Sequence, residues 1–75
     1  MHIVYDPDAD VLQITFSQRA IEETAPLAPG LVLDYDGDGQ VIGLEIHKAS
    51  TRVDNPRAIA YQLGTMNLDK PQPQE

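Results

Sequence analysis

A chain of 75 residues has room for one domain with a small core, and having no cysteine it has neither a disulfide staple nor a thiolate zinc site to support it. Five basic residues against twelve acidic ones give a net charge of -7, and Arg19, Lys48, Arg52, Arg57 and Lys70 are scattered. The basic footprint from which direct nucleic-acid binding starts is therefore missing, and anionic membrane surfaces are disfavoured. No apolar run approaches the roughly 18 residues of a membrane span. The start, MHIVYDPDAD, lacks the basic flank and apolar centre of a signal peptide, so a cytoplasmic protein is the default expectation.

Residues 1–16, MHIVYDPDADVLQITF, read as a first hairpin. His2 to Tyr5 and Val11 to Phe16 flank Pro7-Asp8-Ala9-Asp10, whose proline and acids suit a turn. With those residues as the loop, Tyr5 opposes Leu12, Ile3 opposes Ile14 and Met1 opposes Phe16, all on one face. Asp6, Asp8 and Asp10 read as turn acids, since the distal glutamate and the glycine of a calcium loop are absent. From Ser17 the chain turns polar. Ile21 to Thr24 could form a short edge strand, whereas Ala25 to Gly30 reads as a loop because Pro26 and Pro29 cannot donate to a ladder.

Leu31 to His47, LVLDYDGDGQVIGLEIH, is the clearest signal: two apolar-alternating runs on either side of an Asp/Gly turn. Parity brings Leu31, Leu33 and Tyr35 onto the face of Ile42, Leu44 and Ile46 if Leu33 faces Ile42 and Leu31 faces Leu44, with an even loop. The same window fits the calcium-loop pattern D-x-[DN]-x-[DN]-G-x5-E through Asp34, Asp36, Asp38, Gly39 and Glu45. The four carboxylates Asp34, Asp36, Asp38 and Glu45 are thus the candidate metal ligands. Against them stand Pro26, Pro29 and Gly30, which preclude an entering helix, and a register that sets Asp34 across from Val41. Glu45 would then lie roughly 13 Å from Asp34 at about 3.3 Å per residue. The expectation is a solvated acidic turn, with no cofactor or metal required.

After His47 the β pattern ends. Asp54 and Asn55 offer capping oxygens, Pro56 suits a first helical position and Gly64 a stop, which predicts a helix of about two turns over Pro56 to Leu63 that forms only by docking. Residues 65–75 end in Lys-Pro-Gln-Pro-Gln-Glu and read as a disordered tail. The expected architecture is α+β: a four-stranded antiparallel sheet of two β-hairpins with a short C-terminal helix, in a single domain over residues 1–64.

Chemistry-bearing residues are few. His2 and His47 fall on the second face by parity with Asp34 and Glu45, but whether they converge depends on strand order. Ser17 and Ser50 have no elbow or base motif around them, and Gly37 and Gly39 are followed by no helix that could hold a phosphate. The expectation is a protein without catalytic residues or a small-molecule substrate.

Tyr5-Asp6-Pro7-Asp8-Ala9-Asp10, then Pro29-Gly30-Leu31-Val32-Leu33-Asp34-Tyr35-Asp36, Val41-Ile42-Gly43-Leu44-Glu45-Ile46 and a closing Ala49-Ser50 carry a resemblance over residues 1–52. In this the chain resembles a family of small prokaryotic proteins, domain of unknown function 2283. The resemblance implies a compact β-rich fold in a bacterial cytoplasmic setting and supplies no activity, cofactor or catalytic residue. Some members are encoded beside toxin-like genes, which implies by analogy an antitoxin-like accessory role. From the residues themselves, the apolar face exceeds what a two-turn helix can cover. It predicts a non-enzymatic protein-protein interaction module, as a homodimer or with a small partner protein. A calcium-binding protein using the Asp34 to Glu45 loop is the alternative.

Overall fold

The computed structural model describes residues 1–64. The chain forms five strands, of which all but β3 carry apolar alternation: β1 (His2–Asp6), β2 (Val11–Thr15), β3 (Glu23–Ala28), β4 (Leu31–Tyr35) and β5 (Val41–His47), followed by a 3-10 turn over Ala49–Thr51. All pair antiparallel in one sheet of order β1-β2-β5-β4-β3. The β1-β2 hairpin is joined to the β3-β4-β5 meander by residues 16–22, which cross the end of the sheet so that β5 lands beside β2. This is a Greek-key connection laid out in a single sheet.

The first hairpin has the expected register, with Tyr5 opposite Leu12 and Ile3 opposite Ile14. Asp6 caps its turn, accepting hydrogen bonds from the main-chain N–H groups of Asp8 (2.9 Å) and Ala9 (3.3 Å). The second hairpin corrects the expectation. Leu33 faces Leu44, not Ile42, and Leu31 faces Ile46, a shift of two residues. The loop over residues 36–40 is odd, not even: Asp36 Oδ1 accepts from the N–H groups of Asp38 and Gln40, each at 2.9 Å, and Gly39 takes a φ of 79° that a side chain would strain. An irregularity between Asp34 and Tyr35, opposite Gly43 and Val41, offsets the odd loop. The two cancel in parity, so Leu31 and Leu33 still share a face with Leu44 and Ile46.

The expected α+β fold with four strands is overturned by this five-stranded, nearly all-β architecture. The stretch Ala25 to Gly30, expected as a loop, supplies most of β3. Pro26 is accommodated because β3 is an edge strand, and the register slips between Pro26 and Ala28. No helix forms over Pro56 to Leu63. The Asn55 cap does act: its side chain accepts from Arg57 N (3.0 Å) and its carbonyl from Ala58 N (3.1 Å). That single turn does not propagate, because Tyr61 and Leu63 remain 88% and 87% exposed and no packing surface repays helix nucleation. The expected disordered tail, 65–75, lies outside the described residues.

Two cross-strand rows organise the first face. One runs Ile3, Ile14, Leu44, Leu33 and Ala25 across all five strands; the other runs Tyr5, Leu12, Ile46, Leu31 and Ala28. Leu12, Ile42 and Ala49 are the buried apolar residues, at 5%, 3% and 0% exposure. The second face packs a carboxyl against a glycine. A Cβ on Gly43 would lie 3.0 Å from Asp34 Oδ2 and 3.0 Å from the Ile14 carbonyl oxygen, and the latter is backbone that cannot step aside. Gly43→Ala is therefore expected to destabilise the sheet by about 1–3 kcal/mol in urea unfolding, the cost of overpacking. A Gly43→Ala midpoint equal to wild type would show that Asp34 is not held there.

Candidate functional site

The four carboxylates of the calcium-loop pattern separate into two groups. Asp36 and Asp38 stay on the β4-β5 turn, where Arg19 from the crossover segment reaches them. Its Nη1 lies 2.7 Å from Asp36 Oδ2 and 3.3 Å from Asp38 Oδ2. The guanidinium, with the Gln40 N–H, holds Asp36 below the usual carboxylate range, and Arg19 is raised in turn. This turn is a latch between the crossover and the meander.

Asp34 and Glu45 lie on the second face of the sheet. Because Asp34 faces Gly43, Glu45 is only two residues along β5, and the two carboxyls meet beside Gln13 of β2, which faces Glu45. The separation expected from the sequence is thus corrected by the register. Asp34 is 1% exposed, and its Oδ1 has no hydrogen-bond partner. Burial, and next the hydrogen-bonding carboxyl of Glu45, push Asp34 up to about 6, while Gln13 acts in the opposite direction. His47 Nε2 lies 3.5 Å from Glu45 Oε1 without hydrogen bonding to it. His2 does not join them: it pairs with Thr15 in the row of Gly43, whereas His47 pairs with Val11 in the row of Asp6. Among the described residues no group of three or more histidines and acids is placed to hold a metal ion.

A second polar cluster ties the turn of the first hairpin to the segment that follows β5. Asp10, at a φ of 56° that aspartate tolerates, accepts from the Tyr5 hydroxyl (2.7 Å), from Ser50 N (3.0 Å) and from Ser50 Oγ (2.6 Å). Its carbonyl also accepts from Ala49 N at 2.9 Å. The bonds from Ser50 and then from Tyr5 hold the Asp10 carboxyl below its ordinary range, and the same bond raises the Tyr5 phenol. The Ser50 hydroxyl and amide thus both donate to Asp10 and anchor the first turn to the segment after β5. The cluster joins Tyr5, Asp10, Ala49 and Ser50, all within the stretches that carry the family resemblance. The family model described as a protein of unknown function (DUF2283) matches residues 2–50. The chain belongs to this family. No curated protein and no solved structure matches.

In this DUF2283 chain the most extensive feature is the first face. Arg57 stands 5.7 Å over the Tyr5 ring, which brings the segment after the 3-10 turn to one end of that face. The row Ile3, Ile14, Leu44, Leu33 and Ala25 lies away from it and is only half-buried or exposed. Two clefts accompany the sheet, each of about 260 Å³. One is lined by Pro29, Gly30, His47, Lys48, Thr51 and Arg52, the other by residues around Arg19 and Asp36. Among the described residues no helix is long and apolar enough to cross a membrane.

Sequence parity had placed Asp34 and Glu45 on one side, and only the register separated them. Arg19 and the Asp10–Ser50 pairing went unnoticed, because both join segments far apart in the chain and leave no periodic signal.

Two outcomes follow. A buried acid whose folded pKa is raised favours folding below its ordinary value of 3.8 and loses that contribution as pH climbs through about 6. Asp34→Asn is therefore expected to exceed wild type in stability at pH 7.5 by about 1–2 kcal/mol, after allowance for solvent screening, and to lose the advantage by pH ~4. Urea titrations across that range check this, and a pH-independent difference would contradict it. Asp10→Ala is expected to lower the urea midpoint well beyond Asp8→Ala, since only Asp10 bridges the hairpin to Ser50; equal midpoints would refute the anchor.

Proposed function

We propose that the protein is a non-enzymatic protein-protein interaction module that uses the open first face of its sheet. A sheet buries an apolar face against a second layer. Here the described residues supply only the 3-10 turn and the segment behind it, and the row from Ile3 to Ala25 crosses five strands without a covering layer. That uncovered row is the observation that supports the reading. A net charge of -7 favours a partner protein with an apolar centre and a basic rim over close packing of this face against a like-charged copy.

A non-enzymatic role is supported by the site chemistry. The two clefts, at about 260 Å³, fall below the range in which small-molecule substrates are enclosed. Asp36 and Asp38 are paired with Arg19, Asp10 is saturated with hydrogen bonds, and Asp34, beside Glu45 on the second face, lines neither cleft.

A photo-crosslinking side chain at Leu33, on the first face, and one at Val32, on the second, test the reading in the native host. The expected result is one dominant protein adduct from Leu33, little from Val32, and loss of the Leu33 adduct on Leu44→Lys and at high salt. Equal adducts from both faces, or none from Leu33 while the sheet remains folded, would remove the proposal.

A further inference from the structure

The two edges of the sheet differ. β3 is closed to further pairing by Pro26, by the slip between Pro26 and Ala28, and by the acidic Glu22 and Glu23 beside it. β1, His2-Ile3-Val4-Tyr5-Asp6, has no proline, no bulge and no lysine, and among the described residues it pairs on one side only. An unprotected edge of this kind is a template for another strand.

The hydrogen-bonding phase of that edge follows from its neighbours. Phe16 N donates to the Ile42 carbonyl at 2.7 Å, and the Ile14 carbonyl lies against Gly43, so the even residues of β2 point their main-chain groups toward β5. The odd residues Val11, Gln13 and Thr15 therefore point toward β1, and they face Asp6, Val4 and His2. The main-chain N–H and C=O groups left facing outward on β1 are those of Ile3 and Tyr5.

We infer that β1 pairs antiparallel with β1 of a second copy, about a two-fold axis at Val4. In that register Ile3 of each copy exchanges both main-chain hydrogen bonds with Tyr5 of the other, which uses every outward group of the strand, and the two Val4 residues form the non-hydrogen-bonded pair on the axis. The side chains agree with the phase. Ile3 opposes Tyr5 on the first face, and on the second the exposed His2 imidazole opposes the exposed Asp6 carboxylate of the second copy. The strand is complementary to itself in hydrogen bonding and in apolar contact, and its second face sets an imidazole N–H donor opposite a carboxylate acceptor. The product is a continuous ten-stranded sheet that presents two copies of the first face side by side. This pairing does not depend on what occupies that face.

Sedimentation equilibrium and NMR-detected amide exchange on the whole chain, from low to high micromolar concentration, test the pairing. Protection of the Ile3 and Tyr5 amides is expected to rise with the dimer fraction, while Val4, bonded to β2, is protected throughout. Ile3→Pro removes an outward donor without touching the β1-β2 ladder and is expected to weaken dimerisation about tenfold or more, with Val4 still protected. His2→Glu, which sets like charges together, is expected to weaken it and His2→Lys to preserve or strengthen it, independently of how Ile3→Pro folds. A monomer at all concentrations, Ile3 and Tyr5 amides that exchange freely in the dimer, or indistinguishable His2 variants would overturn the inference. A dimer that survives Ile3→Pro but is lost on Leu44→Lys would overturn it too, while leaving the open-face reading standing.

Discussion

The structure depends on β5. It is the central strand of the five, and its pairing with β2 joins the first hairpin to the meander that it closes with β4. Among the described residues the sheet has no second layer to lock its strands, so the ladders themselves set its geometry, and a slip of β5 would move two interfaces at once. Gly43 sits at the middle of this arrangement. Its missing side chain lets the Asp34 carboxyl lie over β5 and keeps the strand close to the Ile14 carbonyl. The remaining fastenings act at the ends of the sheet: Arg19 holds the crossover to the β4-β5 turn, and Asp10 holds the first turn to Ser50.

Much of this was legible from alternation alone. Parity along His2 to Phe16 and along Leu31 to His47 identified four strands, the register of the first hairpin and the apolar face, because burial on one side leaves a period of two in the sequence. The fifth strand is legible only at its start, where Ile21 to Thr24 reads as a short edge strand; the rest is hidden by Pro26, whose cost depends on whether a strand lies at an edge or in the middle, and sequence does not show that position. The helix was over-read from its caps. Asn55 and Pro56 start a turn, but only a docking surface would carry it further, and Ile59, Tyr61 and Leu63 find none.

The candidate site shows the same division. Asp34 and Glu45 were singled out by a motif and then separated by a register two residues in error; an odd loop and a bulge, each invisible to parity because together they cancel, restored their contact. The consequence is chemical. Two carboxyls beside one another in a shielded place favour keeping one proton between them, which makes this pair a cost to the folded chain at neutral pH. The stretch matched by the family model includes fastenings of the fold: Asp10 bonded to Ser50, and Gly43 admitting Asp34.

Pro26 has an effect beyond its own strand. A ring nitrogen on the outer side of a sheet gives an incoming chain no donor at that point, and the displaced backbone after it spoils the spacing that regular stacking requires. Strand addition is therefore confined to one margin of the molecule and ends after a single round. A small, open, apolar sheet would otherwise be a ready seed for filaments, and the blunted margin closes that route at β3.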